Sequence, residues 1–264
     1  MPSAGDSPTP VPSQIHTQIL HLTLVPEESE DYWCRAAAST SSRLESTPDR
    51  ARRAFKEHWF GVRTEGRCLV LVKQLCKRFD AFPPSLTVLA RWSERREMTP
   101  ADRRLICHWH MQLADPLYRL VTGEWLAATR DEGRPGVFRA GLIERLEREF
   151  PERWSLVTRQ NLASKLLTCS VQAGVLAPGG RGLRPFAWPQ VSELAFGYLL
   201  HLLRGLALPG SLWSNAWLRS VGLTEGALDD RLRRLPGIRV RRQGKVRDAE
   251  WDFPDLEAWA EETL

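Results

Sequence analysis

Residues 231–247, RLRRLPGIRVRRQGKVR, decide the fold class that we predict for the C-terminal part of the chain. The stretch holds eight basic residues and no acidic one. Apolar residues nevertheless recur through it at core-like intervals: Leu232, Leu235, Ile238, Val240 and Val246. This pattern predicts a helix before Pro236 and two short strands around residues 243–244. A helix followed by a basic hairpin is typical of the end of a winged-helix module, whose hairpin contacts a phosphate backbone.

A second stretch, residues 155–188, predicts the same order of elements. A helix begins at Ser155 or Thr158 and ends at Gly174, and a hairpin of residues 175–177 and 183–188 follows around a glycine-rich turn. Apolar spacing places another helix ahead of it, marked by Phe138, Leu142, Leu146 and Phe150. The predicted fold is therefore mainly α: an N-terminal helical bundle followed by two winged-helix-like units, each a helix-turn-helix plus a β-hairpin.

Helix caps and chain breakers divide the sequence into four parts. Residues 1–45 are predicted to be a flexible arm and lead-in, rich in proline and serine. Residues 46–130 are a helical bundle, opened by a Ser-Thr-Pro-Asp helix start and closed by the DEGRPG sequence that follows. Residues 136–206 form a winged-helix-like unit with a connector helix, here named the first unit. Residues 210–264 form the other winged-helix-like unit with a C-terminal helix, here named the second unit.

Composition favours a protein with a packed core and an anionic partner. The hydrophobic fraction is 42%, the net charge is +5 and the pI is about 9.2. Segregation of basic from acidic residues produces a field that attracts polyanions. Five cysteines without framework-like spacing favour reduced thiols. Because the sequence shows neither a membrane-spanning apolar segment nor a secretory leader, we expect a cytoplasmic protein with no membrane partner.

The first unit contains residue types suited to contact with DNA bases. The start of its second helix exposes Arg, Gln and Asn, which can bind base edges through two hydrogen bonds, and this end of a recognition helix enters the major groove. The candidates on the helix are Thr158, Arg159, Gln160, Asn161 and Lys165. Arg181 and Arg184 on the following hairpin are candidates for backbone phosphate contacts.

The second unit has the more basic hairpin but a less suitable helix. Its hairpin candidates are Arg239, Arg241, Arg242, Lys245 and Arg247. The helix before them begins with Glu225 and holds Asp229 and Asp230, whose carboxylates repel phosphate. We therefore expect this unit either to contact the DNA backbone through its hairpin, without base recognition, or to bind an acidic protein surface.

Signatures of an enzyme or a metal site are missing from the sequence. Cys107, His108 and His110 are neighbours, but no second ligand pair at structural-zinc spacing accompanies them. A core cysteine and two surface histidines are therefore expected. The chain has no phosphate-binding loop, dinucleotide turn or nucleophile elbow, so we predict neither enzymatic activity nor a cofactor.

Residues 52–204 resemble the BrxA family, a small component of bacterial BREX phage-defence systems. The resemblance is based on HWFGVRTEGRCLVLVKQLCKRF at 58–79, FPPSLTVLARW at 82–92, the DPLY helix restart at 115–118, and WSLVTRQNLASKLL at 154–167 with AGVL at 173–176. It implies a non-enzymatic, DNA-binding part of a defence system whose other members methylate host DNA and block phage replication. Those other proteins are then expected partners.

The leading hypothesis is binding of double-stranded DNA within an anti-phage complex, and three alternatives stay open. One is a structural adaptor that uses the winged-helix-like units as protein interfaces. Another is a transcriptional regulator, which requires a dimer and a preferred operator. The last is an RNA or single-strand binder that stacks bases on exposed tryptophans such as Trp188. The sequence leaves the oligomeric state open.

Overall fold

A computed structural model describes residues 8–38, 45–95, 98–180, 182–243 and 246–264, with the backbone alone at 242, 243 and 246. The protein is mainly helical, as predicted, and its small sheets have two strands each. The strands are β1 (Thr9–Pro10), β2 (Gly136–Phe138), β3 (Leu183–Pro185), β4 (Leu206–Ala207), β5 (Ile238–Gln243) and β6 (Val246–Trp251). Buried residues from all parts of the described chain join one hydrophobic core.

The N-terminal part is a helical bundle. Its helices are α1 (Pro26–Ala37), α2 (Thr47–Lys56), α3 (Glu65–Leu75), α4 (Ser85–Arg95), α5 (Pro100–Ala114), α6 (Pro116–Leu120) and α7 (Leu126–Asp131). A π-helical turn, Cys76–Asp80, continues α3, and another, Val121–Trp125, joins α6 to α7. The side chains of Ser46, Thr99 and Asp115 cap helices, each accepting a bond from the N–H three residues later.

Helix α1 lies within the predicted flexible lead-in and was not anticipated from the sequence. Its aromatic residues Tyr32 and Trp33 are fully buried, and it packs against α4 and α5. Its acidic residues are exposed or half-buried, and one of them, Glu30, forms an ion pair of 2.7 Å with Arg103 of α5. Helix α1 therefore packs on helices of the bundle.

The segment before α1 is an arm, with a 3₁₀ turn at Ile19–His21, that docks on its own chain. Arg78 is buried in the bundle, and its guanidinium donates hydrogen bonds to the carbonyl oxygens of His21, Thr23 and Leu24. Near the other end of the arm, β1 pairs in parallel with β4, which follows the first unit. The arm thus links the bundle to the chain between the two units.

The first unit contains β2, α8 (Arg139–Glu149), α9 (Leu156–Gln172), β3 and the connector helix α10 (Glu193–Arg204). Strand β3 pairs with β2 in antiparallel fashion, whereas the predicted partner, residues 175–177, contributes an isolated bridge between Leu176 and Phe186. The prediction of Phe138 inside a helix is wrong, because this residue ends β2 and α8 begins after it. Gly174 ends α9 with φ +75°, as predicted.

The second unit contains α11 (Ala216–Ser220), α12 (Glu225–Leu232), the β5–β6 hairpin and α13 (Leu256–Thr263). It is attached to the bundle by close contacts. His108 of α5 shares a hydrogen bond of 2.9 Å with the hydroxyl of Ser220. Arg130 of α7 donates to the carbonyl oxygens of Arg219 and Ser220. A Cβ built on Gly123 would come within 2.4 Å of the Cβ of Ala216, so only glycine fits at this contact.

Within the described ranges, no helix combines the length and the apolar character needed to cross a bilayer.

Candidate nucleic-acid interface

Helix α9 presents an exposed stripe without any acidic residue. Ser155 caps the helix by accepting a hydrogen bond of 3.2 Å from the N–H of Thr158. Leu162 and Leu166 are buried, which turns Asn161 and Lys165 outward. The seventeen residues of α9 include no Asp or Glu. The outward stripe is therefore polar or cationic along most of its length, as expected of a surface that faces a polyanion.

Arg139 lies against this stripe and was not among the candidates from the sequence. Its Nε donates to the Ser164 hydroxyl at 2.7 Å, and an Nη donates to the carbonyl oxygen of Gln160 at 3.0 Å. In these two contacts the guanidinium is held by uncharged oxygens of α9. No spacing in the sequence connects residue 139 with residues 160–164. The connection arises because α8 packs on α9.

Arg159 points away from the stripe. Its guanidinium forms an ion pair with Glu147 of α8 and donates to the carbonyl oxygen of Trp154. The side chain is 12% exposed. This arrangement joins α8 to α9. The charge of Arg159, which was predicted to contact DNA, is paired with a carboxylate of the same chain. Thr158 and Gln160, two further candidates, are half-buried.

The β2–β3 ladder contains one more candidate. Arg184 lies opposite Val137 in the β2–β3 ladder, and its guanidinium donates to the carbonyl oxygen of Gly179 at 3.0 Å. Arg181 lies outside the described residues. Phe138, next to Arg139, is 54% exposed.

On the hairpin of the second unit, the described outward arginines lie against carboxylates. In the β5–β6 register, Arg239 is opposite Glu250, and Arg241 is opposite Asp248. Arg239 contacts the carboxylate of Asp252 at 2.8 Å, and Arg241 contacts that of Glu250 at 3.1 Å. These carboxylates directly follow the acid-free stretch that ends at residue 247. A phosphate approaching this face would meet carboxylates beside each arginine.

Arg247 is on the inner side of the hairpin. Its Nε and an Nη donate to Oδ1 of Asp229 at 2.9 and 2.8 Å, and the side chain is 13% exposed. Asp229, expected to repel phosphate, instead joins α12 to β6. Of the remaining hairpin candidates, Arg242 is described by its backbone in β5, and Lys245 lies outside the described residues.

The expectation of surface histidines at 108 and 110 is wrong, since both are fully buried. His108 bridges the hydroxyls of Tyr118 and Ser220, and His110 shares a hydrogen bond of 2.6 Å with the Tyr198 hydroxyl. Burial lowers the pKa of His108 to about 3 and that of His110 to about 4. Across the described part of the chain, no three His, Cys, Asp or Glu side chains are arranged to hold a metal ion.

Trp188 is 65% exposed, but one side of its ring is occupied. The Arg130 guanidinium lies 4.5 Å from the ring centroid, a cation–π distance. Gly222 of the second unit approaches so closely that a Cβ there would come within 2.2 Å of the ring. Trp188 therefore forms a contact between the two units, which reduces the area open for base stacking.

No protein-family model and no curated protein matches this chain. The assignment of the surface around α9 therefore depends on its geometry and charge.

Proposed function

We propose that the protein binds duplex DNA through the first unit, in which α9 acts as the recognition helix of a winged-helix-like module. The observation that favours this most is the acid-free outer stripe of α9, with Lys165 on it and Arg139 hydrogen-bonded to the same helix. Arginine and lysine beside a major-groove helix bind phosphates, and Asn161 suits an adenine edge. The activity is binding without catalysis.

We propose a lesser part in DNA binding for the second unit. Its hairpin arginines at 239 and 241 already have carboxylate partners, and Arg247 is joined to Asp229. Releasing an arginine from a partner to bind phosphate exchanges one ion pair for another, so the net gain is small. From the sequence resemblance, the setting that we propose is a cytoplasmic anti-phage complex of the BREX type.

Removal of the two cations beside α9 is expected to weaken DNA binding. In the double variant Arg139→Gln, Lys165→Gln, the affinity for a random-sequence duplex should fall at low salt. The slope of log K against log salt should become shallower by about 2, because each lost phosphate contact removes about one counterion from the slope. Fluorescence anisotropy at several salt concentrations measures both quantities.

The matched control is Arg239→Gln, Arg241→Gln, which removes two positive charges from the hairpin. We expect its slope to stay near that of the unmodified protein, since both arginines are already paired. If the hairpin variant lost binding and the α9 variant kept it, the interface would lie on the second unit. Absence of duplex binding by the unmodified protein would refute the proposed function.

A structural adaptor is the second candidate, favoured by the outer face of the β5–β6 hairpin. Arg239, Arg241, Asp248, Glu250 and Asp252 form a mixed-charge surface there. Alternating charges give an interface specificity for a protein with the complementary pattern. Capture of a defence protein that is lost in the hairpin variant, while DNA binding persists, would assign this role to the second unit.

A further inference from the structure

The first turn of α9 exposes two large apolar side chains. Leu156 is 55% exposed and Val157 is 65% exposed. Within the described residues, neither belongs to the hydrophobic core or packs against it. Both directly follow the Ser155 cap, at the end of α9 that enters the major groove in the proposed binding mode.

Val157 lies on the same side of α9 as the polar stripe. Val157, Asn161 and Lys165 are separated by four residues each, so they lie on one side of the helix and all three are exposed. Four residues advance a helix by about 6 Å, roughly the rise of two base-pair steps. An apolar side chain and an asparagine are thus presented to neighbouring base pairs.

The major groove offers these two side chains distinct partners. Thymine places a C5 methyl group there, which apolar side chains contact, and adenine offers N6 and N7 to an asparagine amide. We propose that Leu156 and Val157 contact thymine methyl groups while Asn161 binds adenine, so that the protein prefers duplexes containing A·T pairs. This inference rests on the proposed DNA-binding function. Because α9 contains no acidic residue, its exposed face favours DNA over a protein as the binding partner.

Replacing thymine by uracil tests the contact directly, because it removes the methyl group and leaves the pairing and phosphates in place. Three labelled duplexes of equal length are compared by anisotropy: alternating dA-dT, alternating dA-dU and alternating dG-dC. We expect the dT duplex to bind about fourfold more tightly than the dU duplex for each methyl group contacted, from ~0.8 kcal/mol per buried carbon. The dG-dC duplex should bind more weakly than the dT duplex.

Variants connect the effect to these residues. Leu156→Ser, Val157→Ser should bind dT and dU duplexes equally, and Asn161→Ala should reduce the preference for dA-dT over dG-dC. Leu20→Ser is the matched control, since Leu20 is also a highly exposed leucine (67%) but lies on the arm. It should keep the dT preference, and thermal melts verify that all variants fold.

The outcomes separate the inference from the function on which it rests. Equal binding of dT and dU duplexes by the unmodified protein would overturn thymine recognition and leave DNA binding intact. Lack of binding to all three duplexes would remove both. A change of oligomeric state in Leu156→Ser, Val157→Ser, with the dT preference retained, would identify the apolar pair as a contact between copies and also overturn the inference.

Discussion

Replacing Gly123 by valine is expected to destabilise the protein by about 3 kcal/mol, the upper part of the range for overpacking. Gly123 lies in the π-helical turn that joins α6 to α7, directly under the first residue of α11. An added Cβ would come within 2.4 Å of the Ala216 Cβ and 2.6 Å of its carbonyl oxygen. Because the atoms that the added Cβ would overlap include the backbone of Ala216, the overlap is relieved only if α11 moves away from the bundle. The melting temperature should fall by roughly 6–12 °C.

A glycine without close neighbours provides the control. Gly141 lies in α8, and nothing lies within 4 Å of the position of its Cβ. Gly141→Ala should therefore stabilise by about 1 kcal/mol through helix propensity alone. Thermal and denaturant unfolding of both variants measures the contrast. A Gly123→Val protein as stable as the unmodified one would contradict the described docking of the second unit.

Acidification is expected to lower the free energy of unfolding between about pH 6.5 and pH 4. Burial lowers the pKa of His108 to about 3, and those of His110 and His201 to about 4, from the ordinary value of 6.5. Between these values the unfolded chain binds protons that the folded chain does not. The contribution of these histidines to the free energy of unfolding is therefore fully present above pH 6.5. It decreases as the pH falls, by on the order of 3 kcal/mol per histidine at pH 4.

His201 is the most suitable of the three for a test. Its ring lies among Trp251, Phe253 and Trp259, with centroids 4.9 to 6.1 Å away. Within the described structure, neither ring nitrogen has a hydrogen-bond partner. His201→Phe should fit this aromatic site and remove one proton from the pH dependence, making the slope shallower by about 1.4 kcal/mol per pH unit.

Denaturant unfolding at several pH values measures that slope. The control His16→Gln replaces an imidazole that is exposed on the arm. An unaltered slope in His201→Phe would show that this ring is protonated in the folded protein as readily as in the unfolded chain.

Local rules predicted the features that depend on a few neighbouring residues. The helix start capped by Ser46 and the left-handed end of α9 at Gly174 follow from residues within one turn. In β5, the apolar spacing also predicted a core position for Ile238, which is buried. Mainly helical structure was therefore predictable, since most of the described elements are helices with strong end signals.

Features that depend on distant partners were not predictable. Helix α1 carries acidic residues on its solvent side, and only packing against α4 and α5 shows which side is buried. At the candidate site, Arg159 pairs with Glu147, and Arg139 donates a hydrogen bond to Ser164 of α9. In the hairpin, antiparallel pairing brings Glu250 and Asp252 into contact with arginines of β5. Residue type gave the charge of each side chain, but tertiary structure decided its partner.

The parallel pairing of β1 with β4 has a consequence for synthesis of the protein. Thr9 pairs with Leu206, so the two strands leave the ribosome far apart in time. At ~5–20 residues per second, the arm waits roughly 10–40 s for its partner strand. During that interval the bundle can form and Arg78 can bind the carbonyl groups of the arm, but β1 has nothing to pair with. The arm is therefore made long before the strand that fastens its outer end.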